Sequence, residues 1–104
     1  MDFAKMQEAM AQAAKMKSQM ERTMTETVVE ATAGGGMVTV RMDGKKTVQR
    51  LTIDSAAVTG TGPAELEMLE DLITAAFNEA GRKADEAMRS SVQGLLGGMN
   101  LPGL

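Results

Sequence analysis

The chain contains no cysteine and no histidine, and its only aromatic residues are Phe3 and Phe77. Without cysteine there is no disulfide framework and no thiol chemistry. Without histidine the chain lacks the usual acid–base group at neutral pH and the commonest metal ligand. We therefore expect no enzyme activity, no cofactor, no bound metal and no small-molecule substrate.

Long apolar segments are absent as well. The residues after Met1 do not lead into the apolar core that a secretory signal needs. No run of apolar residues reaches the length required to cross a bilayer. We therefore expect a cytoplasmic protein that does not contact a membrane.

The net charge of −3 argues against nucleic-acid binding, but the charges are unevenly distributed. Residues 1–26 hold four acidic and four basic side chains, and residues 27–53 hold two acidic and four basic ones. Residues 54–104 hold eight acidic and three basic side chains. The acidic excess therefore belongs to the last part of the chain, and the other surfaces are neutral to mildly basic.

Methionine takes the place of the missing aromatics, with 11 copies in 104 residues. A chain of this length forms one small domain with a modest core. Methionine fills irregular gaps but specifies packing weakly, because its side chain is flexible. This composition favours stabilisation by a second subunit.

Residues 2–26 are rich in Ala, Met, Gln, Lys and Glu, contain no Gly or Pro, and predict one long helix. Its length, about 35–40 Å at 1.5 Å per residue, exceeds what is needed to cover a small sheet. We expect part of it to project or to pack on a partner. Residues at alternating steps of three and four form a seven-residue repeat with a lysine in the seam: Phe3, Met6, Met10, Ala13, Lys17, Met20 and Met24.

Three short segments rich in β-branched residues follow and predict an antiparallel meander. Gly34–Gly36 and Asp43–Gly44 separate them and favour tight turns. Val48 is out of phase with Leu51 and Ile53, which indicates a bulge or a change of face. The predicted strands are residues 27–33, 37–42 and 47–53.

A second helix is predicted over residues 63–90, because Pro63 suits a first helical turn and acidic residues follow it. Residues 94–104 hold several glycines and a proline, and we expect a tail that cannot continue the helix. The predicted domain, residues 1–93, is a two-layer α+β fold in the order α-β-β-β-α.

Five local features resemble the YbaB/EbfC family of bacterial nucleoid-associated DNA-binding proteins. The most specific lies in the second helix, where Glu70-Asp71-Leu72 precedes residues 75–80 (AAFNEA) and Arg82-Lys83. The others are the long opening helix rich in Met, Gln and Lys (residues 6–24), the glycine turn followed by residues 37–40 (MVTV), the strand end at residues 51–54 (LTID), and the ending at residues 98–103 (GMNLPG). Their order along nearly the whole chain strengthens the resemblance.

The resemblance implies a tight homodimer that binds double-stranded DNA with little or relaxed sequence preference and associates with the nucleoid. In the family, binding is attributed to projecting helices that act as a pair of tweezers, and no catalytic activity is associated with the fold. Effects on nucleoid organisation and gene expression would follow from occupancy of the DNA.

Sequence-independent DNA affinity comes mainly from Lys and Arg on phosphates. Lys15 and Arg22 are seven residues apart and so lie near one helix face, as do Arg82 and Arg89. A dimer would double each set. The candidate DNA-binding residues are Lys5, Lys15, Lys17 and Arg22 in the first helix, and Arg82, Lys83 and Arg89 in the second.

Simpler roles compete at several of these positions. Helix neighbours can form ion pairs on a solvent-exposed surface, and the spacing allows Arg82 to pair with Glu86, and Arg89 to pair with Asp85 or Glu86. Lys17 can instead fix the register in which the apolar seam of the helix packs on a partner helix. The methionine stripe is more often packing than a binding surface. Arg41, Lys45, Lys46 and Arg50 can contact phosphate or simply protect an exposed sheet.

Two patterns that suggest other chemistry are weak. Gly34–Gly36 lacks the following Lys-Ser/Thr of a phosphate loop and opens no helix. Glu70 and Asp71 are adjacent on a helix and point apart, so a catalytic or metal role is disfavoured. The alternative to DNA binding is therefore a dimeric module that clasps a partner protein, for which the acidic net charge and adaptable methionines are suited.

Overall fold

The computed structural model describes residues 2–98, and the side chains of residues 2–94. The predicted α-β-β-β-α order and the open three-stranded antiparallel sheet are confirmed, with strand order β1-β2-β3. Each strand begins one residue later than predicted. The elements are α1 (Phe3–Glu26), β1 (Val28–Ala33), β2 (Val38–Asp43), β3 (Val48–Ile53), a short 3-10 turn (Ser55–Ala57) and α2 (Pro63–Gly98).

Helix α1 is held at its ends by caps rather than by packing along its length. The Asp2 carboxylate accepts a hydrogen bond from the Ala4 amide at 3.2 Å, so Asp2 is the cap and not the first helical residue. Thr27 closes the other end, where its amide donates to the Thr23 carbonyl at 3.0 Å. No residue of α1 is buried. Its stability in this chain therefore rests on helix propensity and capping.

Two turns of different design connect the strands. Gly34, Gly35 and Gly36 all have positive φ, between 65° and 96°, which explains the glycine triplet. In the second turn the Asp43 carboxylate accepts hydrogen bonds from the Lys45 amide at 2.9 Å and the Thr47 amide at 3.0 Å. The left-handed residue there is Lys46, with φ 67°. The buried Asp43 therefore has a structural role in the turn.

Gly44 lies where α1, α2 and the second turn meet. Its amide donates to the Met24 carbonyl at 2.8 Å. A Cβ at this position would lie 2.6 Å from the Met88 sulfur and 2.8 Å from the Met24 carbonyl oxygen. Gly44 is therefore required for close approach of the three elements.

Helix α2 covers β1 and β2 on one face of the sheet. Ala76, Ala80 and Ala84 are each 0% exposed, and these small side chains let the helix lie close to the strands. Opposite them, β2 contributes the largest fully buried side chains of the described fold: Val38, Val40 and Met42.

The predicted irregularity at Val48 is confirmed. Val48 pairs with Met42, whereas Arg50 pairs with the preceding β2 residue, Arg41. One extra β3 residue therefore lies between the two pairs, as in a bulge. The bulge returns Val48 to the sheet face that carries Met42.

The prediction that α2 ends near Ser90 and that residue 94 begins a non-helical tail is wrong for residues 94–98. The helix continues to Gly98. Glycine lowers helix propensity by about 1 kcal/mol relative to alanine but does not block the helical backbone. The remaining tail residues, 99–104, lie outside the described residues.

Candidate nucleic-acid interface

Helix α1 extends from the end of the sheet that carries the second turn. Its contacts with the rest of the described chain are concentrated toward its C-terminal end, where the Met24 carbonyl accepts a hydrogen bond from the Gly44 amide and where Met20 and Ser91 of α2 line the same pocket. The described fold is elongated, with principal extents of 70 × 28 × 17 Å. The predicted projection of the first helix is therefore observed.

All four candidate cations of α1 lie on this exposed helix. Glu21 and Glu26 stand four residues after Lys17 and Arg22, a spacing that permits pairing. Yet within the described side chains, no ion pair involves a cation of α1. Their charges are therefore not neutralised by direct contact with any carboxylate that the structure describes.

Arg82 is engaged by two carboxylates of its own helix. Its guanidinium donates to Glu79 at 2.6 and 3.1 Å and to Glu86 at 3.0 Å. The hydrogen bond from Arg82 is the main reason that the pKa of the Glu79 carboxyl lies below its ordinary value, and the same contact raises the pKa of Arg82. The structure thus places Arg82 in a surface ion-pair network, with its donors directed along the helix.

The other α2 candidates differ from one another. The Lys83 ammonium donates to the Glu30 backbone carbonyl at 3.0 Å and ties α2 to the edge strand β1. Arg89 is exposed, and the pairing with Asp85 or Glu86 is not formed, because Asp85 bonds to Lys46 at 2.9 Å and Glu86 bonds to Arg82. Among the described side chains, Arg89 is therefore the α2 candidate that makes neither an ion pair nor a side-chain hydrogen bond.

Sequence reasoning identified Glu86 as a partner of Arg82 but missed Glu79, and it missed the partner of Lys83. The Glu79–Arg82 contact has the i, i+3 spacing of helix neighbours and could have been found from sequence. The Lys83–Glu30 contact joins residues 53 positions apart, so no local pattern predicts it.

The outward face of the sheet carries a second, smaller set of cations. Arg41 lies between Glu30 on β1 and Arg50 on β3 in the strand register, and both arginines are exposed. Lys46, in the second turn, is already paired with Asp85. This face is thus polar and mixed in charge, in contrast to the apolar face under α2.

The acidic residues at the start of α2 lie away from the C-terminal end of α1. The first half of α2 runs beside the glycine turn, where Leu72 approaches Gly34, whereas Met88 lies near Gly44 at the opposite end of the sheet. The negative charge of these residues is therefore separated along the molecule from the junction of α1 with the sheet; they are Glu65, Glu67, Glu70 and Asp71. The other carboxylates of α2 form ion pairs with Lys46 or Arg82: Glu79, Asp85 and Glu86.

The described residues offer no group of three or more His, Cys, Asp or Glu side chains that could hold a metal ion. Within the same residues, no helix is both long enough and apolar enough to span a bilayer. The Glu70 carbonyl accepts a hydrogen bond from the Thr74 hydroxyl at 2.9 Å, which is an ordinary helix contact.

Comparison with known proteins decides the family. The sequence profile of the YbaB/EbfC DNA-binding family matches residues 2–99. The chain belongs to this family. The resemblance expected from the second helix, the glycine turn and the strand end is thereby confirmed, and the family is one of nucleoid-associated DNA-binding proteins and not a known enzyme family.

Individual family members extend the match over almost the full chain. A nucleoid-associated protein of Acidobacterium capsulatum is 58% identical over 101 residues, covering 94% of this chain and 93% of that protein. One from Koribacter versatilis is 47% identical and covers 92% of each chain. The crystal structure of uncharacterized protein HP0035 from Helicobacter pylori shares the fold, with a TM-score of 0.71, 24% identity, and coverage of 92% of this chain and 98% of that chain.

Proposed function

We propose that this chain binds double-stranded DNA as a homodimer, with little sequence preference, through phosphate contacts made by cations of α1 and by Arg89. Family membership supports the nucleic-acid partner. The observation that carries the proposal is that the α1 cations are exposed on an extended helix and engage no described carboxylate. Cations in that state can neutralise DNA phosphates and release the counterions condensed on the duplex.

A dimer is part of the proposal because one copy is poorly charged for this task. The chain carries a net charge of −3, and α1 has four cations and three acidic residues along 24 residues, or about 36 Å. Duplex DNA presents one negative charge about every 1.7 Å of its axis. Two copies with parallel or opposed arms would double the contacts while keeping the acidic halves of α2 away from the duplex.

The names of two relatives bear on where the protein resides in the cell. The relatives from Acidobacterium capsulatum and Koribacter versatilis are named nucleoid-associated proteins. We infer that this chain also resides on the bacterial nucleoid in the cytoplasm and alters nucleoid organisation or gene expression by occupying DNA.

The proposal is tested by binding a duplex across a salt series. Replacing Lys15, Lys17 and Arg22 together by alanine should weaken binding to all sequences alike. The slope of log affinity against log salt should flatten by about 0.9 for each phosphate that the variant no longer neutralises. A matched control replaces three cations of the sheet and its turn, Arg41, Lys45 and Arg50, which should change both quantities much less.

Parent-like binding by the α1 triple variant, together with weakened binding by the sheet variant, would move the interface to the sheet. Failure of the parent protein to retard any duplex at low salt would overturn the proposed function itself.

A second candidate function, a module that clasps another protein, is favoured by the apolar stripe of α1. Phe3 is 69% exposed and Met10 is 66% exposed. Capture of a protein partner that survives nuclease treatment, and that is abolished when Phe3 and Met10 are replaced by serine, would support this candidate. Release of all partners on nuclease treatment would support DNA binding instead.

A further inference from the structure

The apolar face of the sheet is only partly covered within one chain. Val48, Leu51 and Ile53 of β3 pair with Met42, Val40 and Val38 of β2, so all six share one face. The three β2 residues are at most 1% exposed, whereas the three β3 residues are between 38% and 44% exposed. Helix α2 thus covers one part of a continuous apolar layer and leaves the β3 part open.

A groove, which we name the Phe77 groove, lies where α2 passes the end of β2 and the second turn. Met42 of β2 lines it together with Phe77 and Gly81 of α2, and the Lys46–Asp85 ion pair also belongs to its lining. Its volume is about 350 Å³. Phe77, 46% exposed, is the only aromatic residue after α1, and aromatic side chains are enriched at protein interfaces.

No contact with the described part of the chain explains Gly81. It lies in the interior of α2, where glycine is less favourable than alanine. It is not among the residues with positive φ, and a Cβ built on it meets nothing within 4 Å. The missing side chain therefore leaves an open notch one helical turn after Phe77, of the kind that allows another surface to approach the helix closely.

We propose that a second copy of this chain fills the Phe77 groove, with Phe77 of each subunit seated over Gly81 of the other. A ring and a notch four residues apart on one helix face are self-complementary about a two-fold axis, because one operation makes both contacts. The same approach would cover the open β3 residues and complete the apolar layer.

Charge is compatible with this occupant. Lys46 and Asp85 in the lining of the groove neutralise each other, and Arg82 on its rim is balanced by Glu79 and Glu86. A second copy would therefore meet paired charges on the rim and apolar side chains at the centre, which is the usual anatomy of an interface. The inference rests on the homodimer of the proposed function and specifies the surface that forms it.

Sedimentation equilibrium over a concentration series tests the inference. Gly81→Leu places its side chain in space that is open in the single chain and raises helix propensity, so the fold should be retained. It should nevertheless raise the dimer dissociation constant at least about tenfold, because the notch is filled. Phe77→Ala should raise it by a similar factor.

Two matched controls separate the groove from general effects. Gly94, in the same helix, also has nothing within 4 Å of a built Cβ, and Gly94→Leu should leave the dissociation constant unchanged. Phe3→Ala removes the other aromatic and should also leave it unchanged. Circular dichroism of each variant confirms that the helices are retained.

The outcomes distinguish the inference from the proposed function. A dimeric parent protein whose Gly81→Leu and Phe77→Ala variants dimerise equally well would overturn the groove assignment and leave the homodimer standing. A parent protein that remains a folded monomer at all concentrations would overturn both.

Discussion

Helices α1 and α2 are both long, yet only α2 is held by tertiary packing along its length. Ala76, Ala80 and Ala84 of α2 are fully buried against the sheet, whereas α1 has no buried residue over its 24 positions. Apolar side chains occur in both helices, so composition alone does not separate them. Packing of α2 on the sheet therefore determines the fold, whereas α1 leaves its surface open to solvent in the single chain.

Replacing one methionine by alanine in each region should give the largest difference in the free energy of unfolding. Met42→Ala removes a fully buried side chain at the centre of the core and should lower the free energy of unfolding by about 2–5 kcal/mol. Met10→Ala removes a side chain that is 66% exposed on α1 and should change it by less than about 0.5 kcal/mol. Urea denaturation followed by circular dichroism measures both. Equal losses would show that α1 is packed in solution.

The junction between the two regions should give an intermediate effect. In Gly44→Ala the added methyl group would meet the Met24 carbonyl oxygen and the Met88 sulfur at distances below 3.0 Å. Relief requires the end of α1 to shift from the turn, and we expect a decrease of about 1–3 kcal/mol in the free energy of unfolding. Gly35→Ala is not a matched control, because Gly35 has positive φ. Gly94→Ala, at an open helical position, is the better control and should not be destabilising.

A small, pH-dependent effect should come from the exposed network on α2. Because Arg82 holds the pKa of the Glu79 carboxyl below its ordinary value of 4.5, the ionised form favours the folded state. This contribution is present above that ordinary value and is lost as the pH falls through the lowered pKa. Glu79→Gln should therefore be slightly less stable than the parent near neutral pH, and the difference should disappear in acid.

Denaturation of parent and variant at a series of pH values checks this expectation. Glu67→Gln, a change in the same helix at a carboxylate with no ion pair among the described side chains, is the control. A difference between parent and Glu79→Gln that grows as the pH falls would contradict the proposed sign. Because the Arg82 and Glu79 side chains are 60% and 41% exposed, solvent screening keeps the effect small.

Local patterns were sufficient for much of the fold. The β-branched segments and turn residues predicted the meander, the phase of Val48 predicted the bulge, and Pro63 marked the start of α2. The end of α2 was placed too early, because glycine was treated as a helix terminator, whereas it only weakens a helix.

The candidate site was harder to predict, because some of its charged side chains bind partners that are distant in the sequence. Spacing could identify the cations of α1 and the pairing of Arg82 with Glu86, and the structure shows that pairing. It could not show that Lys83 reaches a carbonyl of β1 or that Asp85 is taken by Lys46. The openness of β3 was equally hidden, since its alternation is the same as that of a covered strand.

We propose that the exposed helix α1, whose cations form no ion pair among the described side chains, contacts DNA and that the sheet does not. Amide chemical shifts of the nitrogen-15-labelled protein, recorded while a short duplex is added at low salt, test this proposal residue by residue. We expect perturbation centred on Lys15 and Arg22, with Arg89 affected and the outward sheet face around Arg41 unchanged. Perturbation of the sheet face with an unaltered α1 spectrum would contradict it.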